Sequence, residues 1–579
     1  DKYEVIGNKP VYDVVNPTDP RNKKTFFPRM GSNEGRHTDH YYYFLGIDPR
    51  DEQAKQSYVP NAGDNFRFFA EYQIGHMFWR YFMWNFSGRQ NDKQGYVYDG
   101  YKNGNWITGI PMIDAAKNPQ LTNIPKSQKN DPTRNSYFML PLLIGLLGLA
   151  FHVRNHKRGF FVVFMLFFFL GFMNILNMNQ PPIEPRERDY ALAGAFFAFA
   201  MWVGFGVLAL YEMYRKSDWK VALENGAVVG ASLLIMLITG LTVYSGMGAV
   251  VMIIVYSAVV IAALSSLAIG LRRLVKNRMH GAITIGTICA IAPLLMAIEG
   301  WDNHDRSNRT FARDFARAYL ESCYPNAILF TEGDNDTYPL WYAQEVEGIR
   351  TDVRIVNTSL LGVDWYINHL RKAQNEAAPI KMTLEAKDVL GDNRNIVYYV
   401  EENNPFSDRT MTLQKVMDFI KSDDKSTKLT VGRGRFVDFL PTKKVVIPVD
   451  IEKAKANNII PPSWHDNAVS QLSVNLSAGR GLLKNETMIL DIVSNNIDSR
   501  PIHFTSVGSQ GKMGLQKYFE EIGLTHKLTP VEFFDGKTMV GPKRRENPDA
   551  TYEIVMDKEK FYFGALESGD FVYLDDHST

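Results

Sequence analysis

The stretch GFFVVFMLFFFLGFMNILN, residues 159–177, carries no charged side chain over 19 positions. A helix of that length rises about 28 Å, close to the hydrocarbon thickness of a bilayer. Five further apolar runs flank it, at about 136–151, 190–213, 221–244, 247–271 and 281–299. Six such runs with short connections rarely occur in water-soluble folds, where a helix needs a polar face for solvent. The sequence therefore predicts a polytopic α-helical membrane protein with about six spans. The first run is short and is expected to borrow residues from its polar flanks.

Lysine and arginine in the short connections orient the spans. HVRNHKRG holds Arg154, Lys157 and Arg158; YRKSDWK holds Arg215, Lys216 and Lys220; RRLVKNR holds Arg272, Arg273, Lys276 and Arg278. These alternate connections share one side, expected to be cytoplasmic. Residues 1–135, the 178–189 connection and everything after residue 300 then face the other side. In a bacterium this puts the chain in the cytoplasmic membrane with large domains in the periplasm. One outer connection, NQPPIEPRERDYALAG (179–194), runs against the charge bias by presenting Arg186 and Arg188. The ionisable groups Glu212, Glu224 and Glu299 all lie near span ends, which argues against a transporter with mid-membrane polar sites.

Lys and Arg number 64 against 63 Asp and Glu, so no general attraction to nucleic acid follows. The two cysteines, Cys289 and Cys323, exclude a disulfide framework and a cysteine zinc site. The chain opens at Asp1 without Met or a signal peptide, so a processed product or a fragment is expected. Residues 1–135 read as an irregular extracytoplasmic region rich in Tyr, Asn, Asp, Gly and Pro. Within it, DNFRFFAEYQIGHMFWRYFMWNF (64–86) is strongly aromatic but carries Arg67, Glu71, His76 and Arg80. Two readings fit: an interfacial helix with its tryptophans at headgroup depth, or a core helix of the outer region.

Residues 136–300 form the transmembrane region, and 301–579 read as an extracytoplasmic α/β domain. TFARDFARAYLESC (310–323) predicts a helix. NAILFTEG, PLWYAQEVEG and DVRIVNTS predict strand, helix and strand, a βαβ unit with a parallel pair. VDWYINHLRKA predicts another helix. Strand-like runs follow at NIVYYVEE, KKVVIPVD, QLSVNLS, TMILDIVSNN and PIHFTSVG, then a helix at GLQKYFEEIG.

Two stretches carry candidate chemistry. EGDNDTY (332–338) follows a strand, where ligands of open α/β sheets bind. Glu332, Asp334 and Asp336 offer oxygens to a divalent cation. They equally suit capping and charge complementarity at a helix N-terminus. WDNHDRSNR (301–309) sits where the last span ends, on the same side as PRERD. Arg186, Arg188, Asp189, His304, Asp305 and Arg306 are candidate contacts for a lipid phosphate through guanidinium forks. The same charges would also pair with each other and pin the two loops. No Ser-His-Asp order, Walker loop, HExxH or GxGxxG stands in a fitting context.

NQPPIEPRERDYALAGAF, FWRYFMWNFSGRQND and WDNHDRSNRTFARDFARAYLESCYPNAILFTEGDNDTYPLWYAQEVEGIRTDVRIVN together resemble the bacterial DUF2723 membrane proteins, which are typical of the Bacteroidota. Those are related to animal transmembrane protein O-mannosyltransferases. The resemblance implies a GT-C-like glycosyltransferase, or its C-terminal portion. Such an enzyme moves a sugar from a polyprenyl-phosphate donor to a protein Ser or Thr outside the cytoplasm. It implies as partners membrane lipid, the lipid-linked sugar as donor substrate and an acceptor protein; a divalent cation is the one cofactor left open by the residues. It also implies that the acidic catalytic base lies in an N-terminal membrane half, absent here or supplied by a separate chain. A non-catalytic membrane subunit whose α/β domain binds a partner or a glycan is the alternative.

Overall fold

The apolar runs fold as helices in a computed structural model. It describes residues 5–6, 9–10 and 27–557, apart from 32–34, 52, 55–57, 97–102, 120, 122–123, 184–187, 242–246, 308–309, 401–403, 432–434, 477–480, 507–512 and 534–545. The chain divides into two units, Asp1–Asp305 and Arg306–Thr579.

Seven helices organise the first unit: α1 (residues 62–86), α2 (Leu140–Asn155), α3 (Lys157–Met178), α4 (Asp189–Lys216), α5 (Trp219–Thr239), α6 (Met247–Leu274) and α7 (Arg278–His304). The five from α3 to α7 are long and apolar enough to cross a membrane. The first expected span is not: α2 has 16 residues and rises about 24 Å. Its polar flank does not extend it. Asn135–Ser136 pair instead with Gly88–Arg89 as a short antiparallel ladder. Phe138 and Met139, both at positive φ, then turn the chain into the helix.

α2 is enclosed by its neighbours, with Leu142, Leu143 and Leu147 fully buried. Glycines let it meet α4 at backbone distance. A Cβ on Gly148 would stand 1.8 Å from the Trp202 carbonyl oxygen, and one on Gly206 would stand 2.5 Å from that of Ile144. Close approach through small residues is how apolar helices associate where hydrophobic driving force between them is weak.

α1 is a core helix, and the core is that of the helix unit rather than of a separate N-terminal domain. Its middle section, Phe68–Arg80, is wound as a π-helix. Phe78 meets Phe167 and Phe172 of α3, and Phe82 meets Phe199 of α4. Trp79 donates its indole N–H to Thr239 of α5 at 2.9 Å. Gln73, His76 and Arg80 are buried together with Phe68, Tyr72, Phe78 and Trp79, so this section turns no face to the surface. Arg67 and Glu71, nearer the exposed start, pair with each other at 3.0 Å.

The second unit opens with α8 (Phe311–Glu321), followed by β1 (Ile328–Thr331), α9 (Asp334–Glu345) and β2 (Arg354–Asn357). β1 and β2 are parallel, Ile328 opposite Arg354, so the predicted βαβ unit forms. α10 (Lys484–Asn496), β3 (Ile502–Phe504), β4 (Phe519–Ile522) and β5 (Thr525–Leu528) come later. The sheet order is β4-β5-β3-β1-β2, with β3 parallel to β1 and β5 antiparallel to β3. Among the described residues the unit also has a four-stranded and a three-stranded sheet.

Two expectations are corrected. TMILDIVSNN lies in helix α10, and GLQKYFEEIG is a 3₁₀ turn, Leu515–Tyr518, leading into strand β4. α10 starts with Glu486 reaching back to the Leu483 amide at 2.9 Å. Arg350 caps the end of α8, donating to the carbonyls of Leu320, Cys323 and Tyr324 at 3.0, 2.9 and 3.3 Å. The Asp352 carboxylate beside it raises the Arg350 pKa despite burial.

Candidate functional site

The polar residues of the helix unit gather where α1 runs into the extended segments before α2. The Arg80 guanidinium lies 4.7 Å from the Trp84 ring centre and donates to the Gly104 carbonyl at 2.6 Å. Gly104 has φ +63, and a Cβ there would stand 2.5 Å from the Lys93 carbonyl oxygen, so the turn that presents this carbonyl requires glycine. Arg89 lies 5.5 Å from the same Trp84 ring. It donates to the Thr133 carbonyl at 2.9 Å and to the Asn303 side chain.

Lys117 sits 3.9 Å over the Trp106 ring and donates to the Trp106 carbonyl. Burial pushes its ammonium down to about 7, against the pull of nearby Asp114. Asp114 itself accepts from the Thr108 amide and hydroxyl and from the Gly109 amide, at 2.7, 2.8 and 2.9 Å.

α7 ends in the same place. Asn303 donates to Asn135 Oδ1 at 3.0 Å, and Glu299 accepts from the Ser136 amide at 3.1 Å. His304 bonds within its own helix, to the Gly300 carbonyl at 2.7 Å. Asp305 and Arg306 are exposed. Of WDNHDR, then, the residue joined to Arg89 is Asn303. In the PRERD stretch, Arg186 lies outside the described residues. Arg188 reaches the Tyr190 hydroxyl at 3.5 Å. Asp189 begins α4 and accepts the Tyr81 hydroxyl of α1.

α1 is thus the hub: Tyr81 meets Asp189, and Arg80 and Trp84 meet the turn at Gly104. Arg80, Arg89, Lys117, Trp84, Trp106 and Asn303 are residues that sequence reasoning missed. Arg80, Trp84 and Arg89 stand in FWRYFMWNFSGRQND, where their spacing by four and five residues was the available signal. Chemically, cations over aromatic faces at the edge of an apolar bundle suit an anion whose remainder is apolar. Arg89 bonds a carbonyl and an amide, and among the described residues no carboxylate lies within ion-pair distance of it.

The acidic loop of the second unit is a helix cap. Asp336 accepts from the amides of Glu332 and Gly333 at 2.8 and 2.9 Å and from the Thr505 hydroxyl at 2.6 Å. Those donors occupy the lone pairs that a cation would need. Asp334 is exposed, and among the described residues no group of three His, Cys, Asp or Glu is placed to hold a metal. Of the two readings of Glu332, Asp334 and Asp336, this geometry is that of capping. Asp336→Ala should lower the stability of this unit by about 1 kcal/mol, the usual worth of a cap, and added divalent cations should leave its melting temperature unchanged.

Residues 312–543 match the family model described as TMEM260-associated domain 2, and residues 1–70 match DUF8416, a family of unknown function. No curated protein and no solved structure matches the chain.

Proposed function

We propose that this chain is a membrane-embedded glycosyltransferase of the GT-C-like kind, or the C-terminal part of one, and a relative of the DUF2723 proteins. In this reading it transfers a sugar from a polyprenyl-phosphate donor to a protein Ser or Thr on the outer side of the cytoplasmic membrane. The observation that carries the reading is the match of residues 312–543 to a TMEM260-associated domain, on a chain with five membrane-length apolar helices. TMEM260 is an animal protein O-mannosyltransferase.

The acceptor hydroxyl gives its proton to the acidic base that the resemblance puts in an N-terminal membrane half and attacks the anomeric carbon, while the sugar–phosphate bond breaks and the lipid phosphate leaves. Negative charge then grows on the departing lipid phosphate, so fixed cations lower the barrier. Arg186, Arg188, Asp189, His304, Asp305 and Arg306 are the proposed donor-phosphate contacts, chosen by charge. Arg80 and Arg89 add positive charge near the end of α7.

The test is sugar transfer by the purified full-length protein from a polyprenyl-phosphate donor to a Ser/Thr peptide. Arg188→Ala and Arg186→Ala should each reduce the rate by about a hundredfold, the usual loss of one transition-state donor, with unchanged elution and melting. Full activity in both variants would sink this assignment. The second reading, a subunit whose α/β unit binds a glycan or a partner, is favoured by exposed aromatics. Tyr338 and Tyr342 stand one turn apart on α9, and Trp365 lies exposed on the helix Asp364–Leu370.

A further inference from the structure

α4, α6 and α7 leave an apolar crevice between them, lined by Leu210, Leu264, Leu267, Leu271, Ile285 and Ile288. Leu267 is half exposed, so the crevice opens on the outside of the helices. Tyr214, one turn beyond Leu210 on α4, begins a polar cluster. The Tyr214 hydroxyl lies 2.7 and 3.0 Å from the carbonyls of Val275 and Asn277 in the α6–α7 turn. Its ring is packed so closely on Gly281 that a Cβ there would stand 2.1 Å from it.

Arg272 rests 5.5 Å from the centre of that ring and gives Nη1 to the Lys276 carbonyl at 2.6 Å. Arg273, Lys276 and Arg278 are exposed in the same turn. The sequence holds no Asp or Glu between Glu224 and Glu299, so nothing on α6 or the body of α7 offsets these charges.

We propose that this crevice holds an anionic phospholipid. One acyl chain lies against the leucines and isoleucines, and the phosphate sits at Arg272, Arg273, Lys276 and Arg278. Charge complementarity selects the occupant. A zwitterionic lipid brings the same chain but no net charge for the α6–α7 turn, which carries four cations. The site lies away from the proposed donor-phosphate contacts and does not depend on the transfer reading.

The full-length protein, stripped of lipid in a neutral detergent, is titrated with phosphatidylglycerol or phosphatidylcholine, and occupancy is read by native mass spectrometry. Phosphatidylglycerol should bind more tightly. Arg272→Gln with Arg278→Gln should weaken it about thirtyfold, the summed effect of two surface cations, and leave phosphatidylcholine unchanged. Arg273→Gln with Lys276→Gln, both exposed, repeats the test should the first pair fold poorly. Leu267→Trp, filling the crevice, should reduce both lipids. Lys157→Gln with Arg158→Gln, exposed at the start of α3, should change neither. Equal affinity for the two lipids overturns the proposal. So does equal loss in the Lys157/Arg158 pair, or a silent Leu267→Trp.

Discussion

Lys527→Met should destabilise the α/β unit by about 3–5 kcal/mol, the cost of leaving a buried charge without its partner. Lys527 and Glu520 face each other directly across the β4–β5 hairpin, 3.2 Å apart, and both are 0% exposed. Thr529 and Asn547 complete the shell of Glu520 with donors at 2.7 Å each. The Lys527 ammonium also lies 4.3 Å from the Tyr324 ring centre.

Removing the ammonium leaves the buried Glu520 carboxylate without its counter-charge. Glu520→Gln with Lys527→Met should recover most of the loss. Thermal unfolding with hydrogen exchange of the β4 and β5 amides checks this. A deficit under about 1 kcal/mol at pH 8 would contradict the pairing.

Gly148→Ala should cost about 3 kcal/mol, the upper end for overpacking, because the clash is with backbone that cannot rotate away. The added Cβ stands 1.8 Å from the Trp202 carbonyl oxygen and 2.5 Å from the Gly206 amide nitrogen. α2 and α4 would have to separate, and the contacts of Leu142, Leu146 and Phe199 would open with them. Gly204→Ala, on the same helix α4, meets nothing within 4 Å and should be silent. The readout is the monodisperse fraction and melting midpoint in detergent. Equal behaviour of the two variants would argue against the close crossing.

The long helices and the βαβ unit were legible because length, composition and period are local properties. α3 to α7 show as continuous apolar runs, and β1 and β2 as short apolar runs around a helical segment. The shortness of α2 was not legible, since it depends on Asn135 pairing with Arg89, 46 positions earlier. TMILDIVSNN misled because its short apolar run, Met488–Val493 broken by Asp491, reads like a strand. The overlooked sign was Glu486, placed to cap. In GLQKYFEEIG two glutamates resembled a solvated helix face, whereas Glu520 turns inward to Lys527.

The site was legible in part. Charge at the end of α7 was visible in WDNHDR, but the bond from Arg89 to Asn303 joins residues 214 positions apart. For EGDNDTY both readings were available, and the choice turned on Thr505, which only the fold brings to Asp336.

Burial of α1 has a consequence for biogenesis. The segment carries Arg67, Glu71, Gln73, His76 and Arg80, so it is a poor substrate for insertion on its own. Yet in the finished protein it lies against α3, α4 and α5, with Gln73 donating to Asn179 at 2.8 Å and the Tyr72 hydroxyl reaching the Pro181 carbonyl at 3.3 Å. The later helices must therefore be in place before the earlier one can lodge among them. Assembly runs against the order of synthesis: α1 emerges from the ribosome before its partners and waits for them.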